Sequence, residues 1–239
     1  MSTDTTGPAG TAATGAGAAG ATSTGSDAAG RAALLEAARE RVRAEGAGVS
    51  AVADQLDETF LEVVDLLHAC TGKVFVTGSG TSGAVARRMA HLLAVCGTPS
   101  VFLPAMDALH GTMGAVTDGD VLVLISRGGE SDELVDLGRR VKERGASVVA
   151  LTAAPASTMA GIADVVAVVS SANDVDPGNV IAMGSTLVAG VWGDALAYVL
   201  MRLRGYGWDR VLHTHPAGAV GHLTDLPEEL GGFGGEASA

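Results

Sequence analysis

The sequence predicts an α/β fold, a three-layer α/β/α sandwich built on a five-stranded doubly wound parallel sheet, and three observations carry this reading. Runs such as "VLVLIS" (121–126) and "SVVALT" (147–152) are apolar throughout rather than alternating, as expected of strands covered on both faces. From residue 74 onward such runs alternate with helical patterns, the order of a parallel sheet with crossover helices. The composition is 47% hydrophobic but only 3% aromatic, so Ala, Val, Leu and Gly must fill the core. That suits close helix-on-sheet packing.

Taken in order, residues 1–28 are low-complexity Ala, Gly, Thr and Ser without periodicity, and are expected to be disordered because they bury too little to offset their ordering entropy. In "RAALLEAARERVRAEG", Leu34, Leu35, Ala38 and Val42 form one stripe of an amphipathic helix that closes at Gly46. A second helix is expected over about 49–69, with Val52, Leu56, Phe60, Val63, Val64 and Leu67 on its apolar face. Strands follow at 74–77, 100–103, 121–125, 148–151 and 165–169. The helices between them lie at 82–95, near 106–111, at 130–144, near 158–162 and at about 184–204. The stretch 226–239 reads as a flexible tail, which leaves one domain over 29–225.

The 239 residues carry a net charge of −12, which leaves no basic footprint for nucleic acid. The most apolar segment, 180–201, is interrupted by Gly184, Ser185, Gly193 and Asp194, so no membrane span is expected. The N-terminus has neither the charged nor the apolar part of a secretory signal. Cys70 and Cys96, with no CxxC pair, read as reduced thiols of a cytoplasmic protein.

Chemistry concentrates where strands end, as it does in open parallel sheets. The first strand runs into Gly78-Ser79-Gly80-Thr81-Ser82-Gly83, the third into Ser126-Arg127-Gly128-Gly129-Glu130-Ser131, and the fourth ends at Thr152. Backbone N–H groups at a helix start, together with Ser and Thr hydroxyls, suit phosphate or sugar oxygens. Gly78-x-Gly80-x-x-Gly83 lacks the acidic residue at the end of a second strand that a dinucleotide site needs, and Asp107 lies beyond a proline. Two Ser/Gly loops on neighbouring strands therefore fit a phosphorylated sugar better.

The segments "GKVFVTGSGTSG", "CGTPSVFL", "ALHGTMGAVTDGDVLVLISRGGESDEL" and "THPAGAVG" resemble the sugar isomerase (SIS) domain, within it the arabinose-5-phosphate isomerase branch, over about 56–221. The resemblance implies a flavodoxin-like fold, a phosphosugar ligand, cofactor-free aldose–ketose isomerisation through an enediol, and homotetramers with active sites at subunit contacts. Usual members also carry a C-terminal pair of CBS domains, which is not expected in this sequence. A related alternative is a 6-phospho-3-hexuloisomerase, and a non-catalytic phosphosugar sensor is the alternative from another class. Residue by residue, the family's phosphate loop matches Ser126 to Ser131, with Thr152 and Ser82 as helpers. Its acidic residue matches Glu130 and its two histidines match His110 and His215.

Isomerisation needs a base to carry a proton between adjacent carbons and an acid/base for ring opening. Glu130 is assigned as base, expected at a helix start that lowers its pKa, although ordinary capping would explain it equally. His110 and His215, the latter from a neighbouring subunit, are assigned to ring opening and proton relay, and Ser79, Thr81, Ser126 and Ser131 to phosphate and hydroxyls. A metal site joining His110, His213 and His215 is considered and set aside, since the reaction needs none. Arg127 either contacts phosphate or points to solvent. Asp132, Glu133 and Asp136 read as a solvated helix face. Two positions depart from the branch. Thr81 stands where it has lysine, and Asp174 stands where it has glutamate, about 1 Å too short, a misplacement that can cost about 10²-fold.

Overall fold

The computed structural model describes residues 28–172 and 174–233, so the expected disordered stretch 1–28 lies, but for its last residue, outside the described residues. The chain divides into two compact units, 1–39 and 40–239. In the first, residues 28–39 are helical, and Leu34 and Leu35 are exposed rather than buried. Helix α1 (Ala28–Ser50) runs through Gly46 instead of closing there. Glycine at 48 serves close approach, because a Cβ there would lie 2.7 Å from Val175 Cγ1.

The expected second helix is two pieces. A 3₁₀ turn, Ala53–Gln55, precedes α2 (Glu58–Ala69). The break falls at Asp57, whose carboxylate accepts the N–H groups of Thr59 (3.0 Å) and Phe60 (3.4 Å) and so starts a new helix.

The remaining elements follow the anticipated order: β1 (Val74–Gly78), α3 (Gly80–Val95), β2 (Ser100–Phe102), α4 (Ala105–Leu109), β3 (Val121–Ile125), α5 (Asp132–Glu143), β4 (Ser147–Thr152), α6 (Thr158–Ile162), β5 (Val165–Val168) and α7 (Gly184–Leu203). All strand pairs are parallel, in the order β2-β1-β3-β4-β5, the flavodoxin-like order. Successive strand residues feed opposite cores. Val121, Val123 and Ile125 pack with α2, α3 and α7, while Leu122 and Leu124 pack with α4, α5 and α6.

α7 is long and apolar enough to cross a membrane by composition, yet 44% of its most apolar window is buried. Its Trp192, 1% exposed, meets Phe60 edge-on with ring centroids 5.5 Å apart, which is the work of a core helix. Both cysteines are free and half-buried, and burial pushes their thiols up.

Two features have no counterpart in the sequence reading. Residues 208–213 form α8 (Trp208–His213). The described part of the expected flexible tail is tied down: Trp208 donates its backbone N–H to Glu229 and its indole N–H to the Glu228 carbonyl, Arg202 donates to the Gly231 carbonyl at 2.7 Å, and its guanidinium lies 4.0 Å from the centre of the Phe233 ring. These partners are distant in sequence, so local composition does not reveal them.

Candidate active site

The order β2-β1-β3 opens a crevice beyond the ends of β1 and β3, where the chain leaves the two strands in opposite directions. Gly78 and Ile125 are register partners at its floor, and the two glycine loops rise on either side. Gly78 and Gly83 are needed because strand end and helix nearly touch: a Cβ on Gly78 would sit 2.7 Å from the Ser82 carbonyl oxygen, and one on Gly83 2.8 Å from the Gly78 carbonyl oxygen.

The first loop does not face one site. Ser79 is the N-cap of α3, and the helix turns about 100° per residue from there. Ser79 and Gly80 line a groove with Arg87, Phe102, Met106 and Glu133. Thr81 faces a different groove between α3 and α7, beside an ion pair of Arg88 with Asp194. Ser82 faces a third pocket, with Arg127, Thr152, Ser171, Ser185 and Thr186.

The second loop bonds largely to itself and its neighbours. Ser126 Oγ accepts the Gly129 N–H (3.1 Å) and lies 3.5 Å from Ser131 Oγ. The Thr152 hydroxyl donates to the Arg127 carbonyl and accepts the Ala154 N–H, both at 3.1 Å, so it holds the loop onto β4. Gly129 has φ +66°, and a Cβ there would lie 2.1 Å from Ser157 Oγ, whereas Gly128 has open space around it. Gly128, Gly129 and Ser131 line none of the described pockets.

Glu130 sits differently from its expectation. α5 begins at Asp132 with Ser131 as N-cap, so Glu130 precedes that helix. Its carboxylate accepts the Thr158 hydroxyl (2.7 Å) and backbone N–H (2.9 Å), at the start of α6. Those two bonds hold its carboxyl below the usual carboxylate range. The carboxylate that reaches the crevice is Glu133, which accepts the Ser79 hydroxyl across the gap between the loops. That bond holds the Glu133 carboxyl below the usual range. Glu133 is therefore not a residue of a solvated face. Helical phase signals this, for Glu133 stands one turn before Leu137 and two before Val141, both wholly buried.

The remaining predicted residues lie apart. His110, exposed, ends α4. His215 follows α8, with Nδ1 2.6 Å from the Val211 carbonyl oxygen and 3.3 Å from the Thr214 hydroxyl; a carbonyl only accepts, so Nδ1 donates to it. The backbone carbonyl of Asp174 accepts Arg41, as does that of Val175 at 2.7 Å, and Asp174 lines none of the described pockets. Asp176, in the segment leading to α7, carries no signal in the sequence: 1% exposed, it pairs with Arg127 at 3.1 Å. Among the described residues no group of three His, Cys, Asp or Glu is arranged to hold a metal ion.

Residues 67–198 match the SIS domain family. The chain belongs to that family. It is 36% identical over 189 residues to arabinose 5-phosphate isomerase KpsF of Escherichia coli, covering 79% of this chain and 60% of that protein. It is 34% identical over 195 residues to arabinose 5-phosphate isomerase KdsD of Pseudomonas aeruginosa, covering 82% of this chain and 60% of that one. The SIS chain thus spans about 60% of the length of these relatives. A solved Escherichia coli CFT073 protein in complex with arabinose 5-phosphate superposes with a TM-score of 0.75 at 30% identity, covering 77% of this chain and 98% of that chain. A Listeria monocytogenes structure gives 0.75 at 32%, covering 78% and 98%.

Proposed function

We propose that this SIS protein is an aldose–ketose isomerase acting on a five-carbon sugar phosphate of the arabinose 5-phosphate type, through an enediol and without a cofactor. The observation that carries this is Glu133 bonded to Ser79 across the crevice: an ionised carboxylate beside a glycine loop, at the position where open α/β sheets bind ligands. The relatives named arabinose 5-phosphate isomerase and the solved complex with that sugar phosphate support the substrate class.

In this reading Glu133, in place of Glu130, takes the proton from C2 of the aldose and returns it to C1, while the proton of O2 passes to O1 through an acid/base partner. Glu130 supports the site from behind by joining the second loop to α6. Ser126, Ser131 and Arg127 hold phosphate, Ser79 and Ser82 lie along the sugar, and Thr152 fixes the loop, while Thr81, turned to the α3–α7 groove, takes no part. His110 and His215 serve ring opening, His215 from a second copy of the chain. The exposed Leu34, Leu35 and Val42 of α1 support assembly into a homotetramer. We place the protein in the cytoplasm, where phosphosugars are held.

The test is incubation with ribulose 5-phosphate in deuterated water. Exchange of one C1 proton, with arabinose 5-phosphate formed, is the expected outcome. A second reading, a phosphosugar sensor, is favoured by Thr81 facing the α3–α7 groove rather than the crevice. Stabilisation against heat by the same sugar phosphate, without exchange, would select it.

A further inference from the structure

The pocket beyond Ile125 and Leu151 is lined largely by apolar side chains; its hydroxyls come from Ser82, Thr152, Ser171, Ser185 and Thr186, and among the described residues that line it one side chain is charged, Arg127. An arginine that is 38% exposed would ordinarily sample many rotamers. Here it is held from behind. Nη1 donates to Asp176 Oδ2 at 3.1 Å and Nη2 donates to Asn179 Oδ1. Asn179 and the preceding Gly178 both have left-handed backbones, φ +56° and +62°, which these two residue types adopt readily, in a turn that brings the amide to the guanidinium.

Asp176 has two tasks, divided between its oxygens. Oδ1 accepts the N–H groups of Met183 (2.8 Å) and Ser185 (3.0 Å), at the start of α7, and Oδ2 takes Arg127. A carboxylate this deeply buried persists as an anion only with such partners. Burial pushes its carboxyl up, but Ser185, Met183 and Arg127 together outweigh that and hold it below the ordinary value. Three of the five guanidinium N–H bonds, one each on Nε, Nη1 and Nη2, stay available.

We infer that Asp176, with Asn179, is a positioning residue that presents Arg127 to the strand-end pocket as its anion-recognising cation, so that this pocket selects phosphorylated over neutral sugars. The inference rests on the phosphosugar reading above, and it supplies the cation that Thr81 does not. Asp176 itself touches no ligand.

The decisive experiment is calorimetric titration of the full chain with inorganic phosphate, arabinose 5-phosphate and arabinose, at low and high salt, for the wild type and three variants. Arg127→Gln is expected to weaken both phosphate-bearing probes by about tenfold or more and to flatten their salt dependence, with arabinose unaffected. Asp176→Asn keeps an oxygen for Met183 and Ser185 but turns an amide donor toward Arg127. It should weaken the same probes by about as much and also lower the unfolding temperature, since it removes the buried charge that these partners stabilise. The double variant should bind no worse than Arg127→Gln alone, because both changes remove one interaction. Phosphate binding unchanged in Arg127→Gln, or losses that multiply in the double variant, would overturn the inference. Should Asp176→Asn fail to fold, Asn179→Ala, which leaves the buried carboxylate in place, must still weaken phosphate binding severalfold; unchanged binding there also overturns it. Arg127-dependent binding of phosphate without binding of arabinose 5-phosphate would keep the pair and remove the phosphosugar reading. Binding of neither probe would remove both.

Discussion

The two glycine loops look alike in sequence and behave oppositely in structure. The Gly78–Gly83 loop runs straight into α3, and its three hydroxyl residues are swept round the helix into three separate cavities. The Ser126–Ser131 loop closes on itself, with Ser126, Thr152 and Glu130 all bonded to protein groups. A Ser/Gly motif at a strand end thus announces a site but not which side chains enter it. Helical phase decides for the first loop and hydrogen-bond accounting for the second.

Breaking this contrast at its acids should have the largest effect. Glu133→Gln is expected to cut turnover of ribulose 5-phosphate by about 10²-fold or more, with Glu130→Gln costing less than about tenfold. Glu130→Gln should instead lower the unfolding temperature, since it weakens the α6 cap. A steady-state assay beside a thermal melt reads both; equal losses of turnover in the two variants would erase the distinction.

The glycines sharpen the contrast next. Gly129→Ala forces a left-handed alanine against Ser157 and should cost about 1–3 kcal/mol in a denaturant titration, whereas Gly128→Ala should stay within about 1 kcal/mol. Smaller again is the hydroxyl pair. Ser82→Ala should weaken binding of arabinose 5-phosphate by about three- to tenfold, a hydrogen bond's worth, and Thr81→Ala by less than about twofold. A titration in which Thr81→Ala had the greater effect would place the sugar in the α3–α7 groove.

Acid should act on the frame as well as on the loops. Asp120 is buried beneath the sheet, where its carboxylate accepts the N–H groups of Lys73 (2.6 Å) and Thr117 (2.7 Å). Burial alone would raise its pKa, and these bonds lower it below 3.8. Asp176 is lowered from the same value. A depressed carboxyl lends its stability in full above the unfolded value and loses it as pH falls through the folded one. Urea midpoints should therefore hold from neutrality to about pH 4 and drop below it. In Asp120→Asn that drop should be shallower from a lower plateau.

The fold is legible because apolar strands sandwiched between helices leave unbroken runs, as in 121–125, and those runs do not depend on distant partners. The same reasoning errs where a residue's partner lies far along the chain. Gly46 looks like a helix stop, but the helix continues past it, and 48 is glycine because Val175 presses there. Leu226 onward looks like a loose tail, yet Arg202 and Trp208 hold residues 228–233. In the site, motif favours Glu130 and charge makes Glu133 look solvated, although spacing from Leu137 and Val141 points the other way. Asp176 has no local signal, since only the fold brings it to Arg127.

The most direct measurement is a crystal structure of the chain soaked with arabinose 5-phosphate. The expected result has the phosphate on Arg127 and the Ser126–Ser131 loop, with C1 and C2 of the sugar beside Glu133 in the β1–β3 crevice. A sugar phosphate bound elsewhere, with Ser79 and Glu133 still bonded to each other and nothing between the loops, would contradict it.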